Sequence, residues 1–200
     1  MTIEQPWDVR HIYSKADPDF LPYLDHLDEK LRKSREARWI RDLHDCPVDQ
    51  DSGIRPALLA SGWAELVIVD LHGWTVEQGP WLCTTTTTTG ILLRDLPADS
   101  WSASAIFLTG CRGGTREFAA ELDRILTRRT TVVSHIDEAD FSDHTPVDLI
   151  TAVLGQTAGA DAGEVFNVVK STLYDRRPYA REKLGEELWT VDRLGPVIPR

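Results

Sequence analysis

Two apolar stretches decide the fold: LVIVDLHGW, at residues 66–74, and AIFLTGCRGG, at residues 105–114. Each begins with a short aliphatic run, which is typical of a parallel strand covered on both faces. His72 and Gly73 follow the first run, and Cys111 follows the second. Open α/β sheets bind their ligands at the carboxyl ends of the strands. We therefore predict that the two strand ends meet and that His72 and Cys111 form a catalytic pair.

Strand and helix patterns alternate along the rest of the chain. Upstream, we predict strands at 7–14 and 38–44 and helices at 17–34 and 54–62. Downstream, we predict helices at 115–127, 147–155 and 161–174, a strand at 130–135 and an edge strand at 188–191. This alternation predicts a three-layer α/β/α sandwich with a mostly parallel central sheet. No linker or internal repeat interrupts it, so residues 1–200 are expected to form a single domain.

Composition limits the partners and the compartment. The formal net charge of −10 argues against a nucleic-acid partner, because such interfaces need clustered Lys and Arg. No apolar run approaches the roughly 18 residues that cross a bilayer, and the N-terminus lacks the pattern of a signal peptide. The three cysteines form no Cys-x-x-Cys pair and do not suggest a disulfide framework. We expect a cytoplasmic protein that binds neither nucleic acid nor a membrane.

The chemistry of a thiol nucleophile explains the residues around the predicted pair. A lone cysteine is most simply a small buried hydrophobe, but Cys111 has a matching histidine and a helix that begins shortly after it. A nearby base and a helix N-terminus both favour the thiolate. The amides of Gly73 and Cys111 are candidates for an oxyanion hole, and Gly113 and Gly114 would keep the far side of the thiol open.

The order of these motifs resembles the caspase-fold cysteine peptidases, the group of caspases, metacaspases and separases, and most of all the bacterial CHAT family. In that family an apolar strand ends in His-Gly, a loop ends in a Leu-x-Asp-Leu-like segment, and a second apolar strand ends in Cys-x-Ser/Gly-Gly. The matching segments here are Leu71-His72-Gly73, LRDL at 93–96 and GCRGG at 110–114. The resemblance covers roughly residues 55–175.

The resemblance implies a caspase-like peptidase domain of the CHAT type. It implies that His72 is the general base and acid, that Cys111 is the nucleophile, and that the amides of Gly73 and Cys111 bind the oxyanion. The implied activity is a cysteine endopeptidase that hydrolyses peptide bonds in proteins through a thioester, without cofactor or metal. Many relatives carry sensor or repeat domains that this chain lacks. We therefore expect either a regulatory partner on a separate chain or a site that is inactive as folded.

Substrate contacts are expected from two regions. Trp74 adjoins the predicted site, and an acidic stretch after the strand at 130–135 includes Asp137 and Asp140. In caspase folds this region helps to form the pocket for the residue before the cut, so we predict a preference for Arg or Lys. The alternative is a solvated acidic turn. His135 and His144 flank the stretch, but their spacing matches no metal motif.

Two other classes of function stay open. The segment from His11 to Asp17, with Arg38 to Asp42, is slightly similar to a TIR domain, which would make the protein a signalling module or an NAD-cleaving enzyme. The sequence contains no convincing catalytic glutamate for that function, and a TIR domain would not account for Cys111 and the glycines beside it. The third possibility is a non-catalytic caspase-like module that only binds partners.

Overall fold

A computed structural model describes residues 6–85, 90–111, 113–135, 144–155, 160–184 and 189–195. In chain order the described strands are β1 (Trp7–Tyr13), β2 (Ile40–Pro47), β3 (Leu66–Asp70), β4 (His72–Val76), β5 (Gly79–Cys83), β6 (Ile91–Leu92), β7 (Ala105–Leu108), β8 (Thr130–His135) and β9 (Trp189–Leu194). The described α-helices are α1 (Leu21–Glu36), α2 (Ile54–Ser61), α3 (Arg116–Ile125), α4 (Thr145–Leu154) and α5 (Ala162–Leu184).

Six strands form the central sheet in the order β2-β1-β3-β7-β8-β9. The first five of these run parallel to one another, and β9 pairs antiparallel with β8 at the edge. The mostly parallel α/β sheet predicted from the sequence is confirmed. Strand β1 has β2 on one side and β3 on the other, so the chain adds strands first in one direction and then in the other. The reversal lies between β1 and β3, and doubly wound sheets open a crevice at such a point.

Helices pack on both faces of this sheet and bury two apolar cores. Consecutive residues of β7 alternate between them, since Phe107 belongs to one core and Ile106 to the other. The first core is formed with α1, α4 and α5, and the second with α2 and α3. All residues of β3, β7 and β8 are buried. Cover on both faces explains the nearly continuous apolar runs of β3 and β7, whereas β8 (TTVVSH) also buries polar side chains.

A small antiparallel sheet, β4-β5-β6, leaves the central sheet after β3. His72 is the first residue of β4, whereas β3 ends at Asp70. The prediction that His72 ends a strand of the central sheet is therefore wrong. Strands β4 and β5 pair as an antiparallel hairpin, with His72 opposite Cys83. Thr84, at the start of the threonine run, is buried and donates to the Asp51 carboxylate, while residues 86–89 lie outside the described part of the chain.

The C-terminal region differs most from the sequence prediction. The helix expected to end at residue 174 continues through Pro178 to Leu184 as α5. Proline normally ends or kinks a helix because it lacks an N–H, yet α5 includes Pro178. The edge strand predicted at 188–191 is present as β9, which ends three residues later, at Leu194. In the described residues no helix is both long enough and apolar enough to cross a membrane.

Candidate active site

The segments that follow β3 and β7 contact each other through their backbones. The two strands are neighbours, with Val69 opposite Leu108 at their carboxyl ends. A Cβ atom added to Gly110 would lie 1.9 Å from the carbonyl oxygen of Leu71, and one added to Gly73 would lie 2.4 Å from that of Cys111. Both distances are too short for any side chain. The structure therefore brings the segments that carry His72 and Cys111 together, and glycine at both positions permits the contact.

The imidazole of His72 is fixed by two groups from the segment after β1. Its Nε2 atom lies 2.8 Å from Oδ2 of Asp17. The Phe20 ring meets it edge to face, with ring centroids 4.8 Å apart. His72 is 5% exposed, so this geometry is held in a nearly buried setting. The sheet's strand order places the segment after β1 beside the segment after β3, and Asp17 therefore lies at the crevice between β1 and β3.

Asp17 is a site residue that sequence reasoning missed. The pattern Asp17-Pro18 predicted a helix cap, but α1 begins at Leu21 after a 3₁₀ turn at Pro18–Phe20, and its N-cap is Phe20. The available signal was an acidic residue a few positions beyond a predicted parallel strand. A carboxylate on one ring nitrogen holds a histidine in a single tautomer and orientation. With the proton on Nε2, the lone pair of Nδ1 is the basic position of His72.

Cys111 is partly exposed and lines an apolar cavity at this end of the sheet. Leu71, Gly73, Leu82 and Phe118 also line the cavity, so it lies between β7, the small sheet and α3. All three cysteines are in the described part of the chain, and none forms a disulfide. A thiol at the mouth of an apolar cavity can meet a carbonyl carbon from which bulk water is largely displaced.

The turn after Cys111 packs tightly against the sheet. A Cβ added to Gly113 would lie 3.2 Å from Cβ of Leu108 and 3.4 Å from Cβ of Ser134. The amide of Gly114 donates to the carbonyl of His135, with 2.8 Å between the atoms. Helix α3 starts at Arg116, and its N-cap is Thr115, whose hydroxyl accepts a hydrogen bond from the Phe118 amide. Gly113 therefore has a packing role in addition to the open thiol face predicted for it, and Arg112 lies outside the described residues.

Of the predicted substrate contacts, the described residues include Trp74 but not Asp137 or Asp140. Trp74 is partly exposed on β4, opposite Trp81 of β5, and it remains a predicted substrate contact. Asp137 and Asp140 lie outside the described residues, so the acidic pocket stays a prediction. The oxyanion role of the Gly73 and Cys111 amides also stays a prediction.

A buried polar chain supports both strand ends from within the sheet. Asp70, the last residue of β3, is fully buried, and its Oδ2 lies 2.6 Å from Nε2 of His11 on β1. The Thr109 hydroxyl donates to the other carboxylate oxygen of Asp70. The Thr109 amide donates to the carbonyl of Val69 at 3.2 Å. Thr109 directly precedes Gly110, so this chain links β1, β3 and β7 just below His72 and Cys111.

No protein-family model matches the chain, and no curated protein matches its sequence.

Proposed function

We propose that the protein is a cysteine endopeptidase in which His72 and Cys111 act as a catalytic dyad. The observation that carries the proposal is the backbone contact between Leu71–Gly73 and Gly110–Cys111. It brings together the segments that carry His72 and Cys111, just beyond the carboxyl ends of the neighbouring strands β3 and β7 and beside an apolar cavity. A carboxylate that orients the imidazole completes the arrangement expected of an activated nucleophile.

In the first half of the reaction, Nδ1 of His72 takes the proton of the Cys111 thiol. The thiolate then attacks the carbonyl carbon of the scissile peptide bond, and the carbonyl electron pair moves onto oxygen. The amides of Gly73 and Cys111 stabilise that oxyanion. Collapse of the tetrahedral intermediate breaks the C–N bond, and His72 gives its proton to the departing amine. The products are a free amine and a thioester on Cys111.

In the second half, His72 removes a proton from water, and the resulting hydroxide attacks the thioester carbonyl. Collapse of this second intermediate breaks the C–S bond and returns the proton to the sulfur. Asp17 keeps the proton of neutral His72 on Nε2 and stabilises the imidazolium formed in each half. No cofactor or metal takes part in these steps.

The caspase-like, CHAT-type resemblance of the sequence supports the same assignment of roles. The substrate is a protein or peptide whose scissile bond reaches the partly exposed Cys111, with Trp74 as a predicted contact. The thiol nucleophile suits a reducing cytoplasm.

Hydrolysis of a fluorogenic peptide library tests the proposal. Wild-type protein is expected to cleave a subset of peptides, and Cys111→Ala is expected to lose all cleavage. Cys46→Ala is the matched control because Cys46 is also partly exposed, and it should retain wild-type rates. NAD consumption without peptide cleavage would favour the TIR-like alternative. A folded wild-type protein that cleaves no peptide, even with intact substrate proteins, would favour the non-catalytic module.

The same library tests the predicted substrate preference. Asp137 and Asp140 predict that cleavage follows Arg or Lys. Charge reversal at both positions should shift the preference away from basic residues while leaving the reactivity of the thiol unchanged. Cleavage after Asp or after large apolar residues in the wild type would contradict the predicted pocket.

A further inference from the structure

His11, Asp28 and Asp45 converge on one point at the β1–β2 edge of the sheet. His11 lies on β1, Asp45 is directly opposite it on β2, and Asp28 projects from α1. One ligand atom from each residue lies within 4.8 Å of the other two. His11 is fully buried, whereas Asp28 and Asp45 are exposed, so the cluster has a buried base and an opening to solvent.

The ring of His11 points an unsatisfied atom at these carboxylates. Its Nε2 is held by Asp70 at 2.6 Å. Its Nδ1 is buried and makes no hydrogen bond, and it lies 3.8 Å from Oδ1 of Asp45. With the proton shared between Nε2 and Asp70, the Nδ1 atom presents a lone pair. A nitrogen lone pair and two carboxylates then face one another with no donor from the described residues between them, an arrangement that a bound cation would satisfy.

The charges around the cluster are also uncompensated. In the described part of the chain no Lys or Arg forms an ion pair with Asp28 or Asp45. The adjoining Tyr13 ring lies 4.5 Å from the His11 ring. Burial raises the pKa of the Tyr13 hydroxyl, and the charges of Asp45 and Asp28 raise it further. The ammonium group of Lys15 lies over the Tyr13 ring, 5.5 Å from its centroid.

We propose that His11, Asp28 and Asp45 bind a divalent transition-metal cation of the Zn²⁺ type, with Asp70 as the outer carboxylate that orients His11. One imidazole nitrogen among the ligands favours Zn²⁺ over Mg²⁺ or Ca²⁺, which prefer oxygen alone. Ligands around Zn²⁺ at about 2.1 Å lie roughly 3.4 Å apart, so small side-chain movements of the two exposed aspartates close the site. Metal-bound histidines commonly donate their other nitrogen to a carboxylate, which is the role of Asp70. Water completes the coordination on the open side.

The site is independent of the proposed peptidase chemistry, yet it is connected to the same strands. Cation binding at Nδ1 would fix the proton of His11 on the Asp70 side. Asp70 in turn accepts from Thr109, two residues before Cys111. The cation is therefore expected to stabilise the sheet at β1, β3 and β7 rather than to take part in hydrolysis.

Calorimetric titration with Zn²⁺ and thermal unfolding test the site. Wild-type protein stripped with a chelator is expected to bind one Zn²⁺ per chain and to melt at a higher temperature when loaded. The double variant Asp28→Asn/Asp45→Asn is expected to bind at least ~100-fold more weakly, since changes to outer ligands alone cost 10–100-fold. The matched control is Asp25→Asn/Asp42→Asn, which removes two exposed charges from the same helix and strand and should bind like the wild type.

Competing thiols are excluded by repeating the titration on Cys111→Ser and by loading Co²⁺. The expected Co²⁺ spectrum has visible bands of nitrogen and oxygen ligands and no thiolate charge-transfer band. Three results would each overturn the site: no binding to the folded wild type, equal affinity in Asp28→Asn/Asp45→Asn, or a thiolate band from Cys46 or Cys111. Circular dichroism confirms that each variant is folded. A wild-type protein that binds Zn²⁺ but cleaves no peptide would count against the proposed function and not against this site.

Discussion

Asp17 holds His72 across the crevice between β1 and β3, with 2.8 Å between Oδ2 and Nε2. The two residues are 55 positions apart in the chain. Their side chains are 17% and 7% exposed, respectively, so the contact is shielded from most of the solvent. A shielded carboxylate orients an imidazole far better than an exposed one, whose interaction water and salt would weaken. The pair makes Asp17 the first residue to alter if His72 is a catalytic base.

Asp17→Asn is expected to lower kcat for peptide hydrolysis by about 10²–10⁴-fold with little change in folding stability. The amide can donate to Nε2 and so favours the wrong tautomer, with the proton on Nδ1. Steady-state kinetics over a range of pH would show the loss at every pH. Asp25→Asn is the control, because Asp25 is exposed on α1 and lies outside the pair. An unchanged kcat in Asp17→Asn would remove Asp17 from the mechanism.

Alkylation with iodoacetamide is expected to modify Cys111 much faster than Cys46. Both thiols are partly exposed, so a difference in rate reports the thiolate fraction rather than access. The difference should disappear in His72→Ala, because that variant lacks the base. Mass spectrometry of tryptic peptides gives the rate at each cysteine. Equal rates at Cys46 and Cys111 in the wild type would contradict activation by His72.

Gly110→Ala is expected to destabilise the protein by about 1–3 kcal/mol, the usual cost of forcing extra volume into a packed site. The added methyl would lie 1.9 Å from the Leu71 carbonyl oxygen, so the two strand ends must separate. Peptidase activity should fall further than stability predicts. Urea denaturation and kinetics together measure both effects. Gly155→Ala is the control, since its nearest neighbour would be 3.6 Å away, and it should be close to neutral.

Asp28→Asn is expected to stabilise the metal-free protein at neutral pH. Burial raises the pKa of the Asp28 carboxyl, and the charge of Asp45 raises it further. The unfolded chain therefore ionises this group at a lower pH than the folded chain does. Its contribution to stability falls as pH rises from the unfolded value, about 3.9, through the higher folded value. Asn cannot ionise and avoids this loss.

Urea denaturation in the presence of a chelator measures the effect at two pH values. The advantage of Asp28→Asn should be present at pH 7 and vanish below about pH 4, where Asp28 is protonated in both states. Saturating Zn²⁺ should reverse the order at pH 7, because only the wild type retains the Asp28 ligand. Greater stability of the chelated wild type at pH 7 would contradict the burial argument.

Much of the sheet could be predicted because its central strands have a local signature. The runs at β3 and β7 are apolar on both faces, and that pattern suffices to place them in the interior of a parallel sheet. The meeting of His72 with Cys111's segment follows from the same pattern, since parallel neighbours end at one edge. The α/β class and the approximate bounds of eight predicted strands or helices needed no information beyond this periodicity.

The partners of the site residues could not be predicted, since they depend on strand order. Asp17 meets His72 because β1 lies beside β3, and the sequence gives no direct sign of that adjacency. The same holds for His11, whose contacts with Asp70 and Asp45 depend on which strands are its neighbours. It is buried, and only one of its ring nitrogens is satisfied. The helix predicted at 161–174 is also too short, since α5 continues to Leu184 through a segment of mixed composition.

The pairing of β9 with β8 has a consequence for how the protein is made. Chains emerge from the ribosome with the N-terminus first, and β9 is formed by residues 189–194, some 55 residues after β8. Until then, β8 presents an open edge whose backbone groups can pair with another chain. The same strand supports the turn after Cys111 through the bond from Gly114 to His135. The turn after Cys111 therefore depends on a strand whose outer edge is covered only after residues 189–194 have been made.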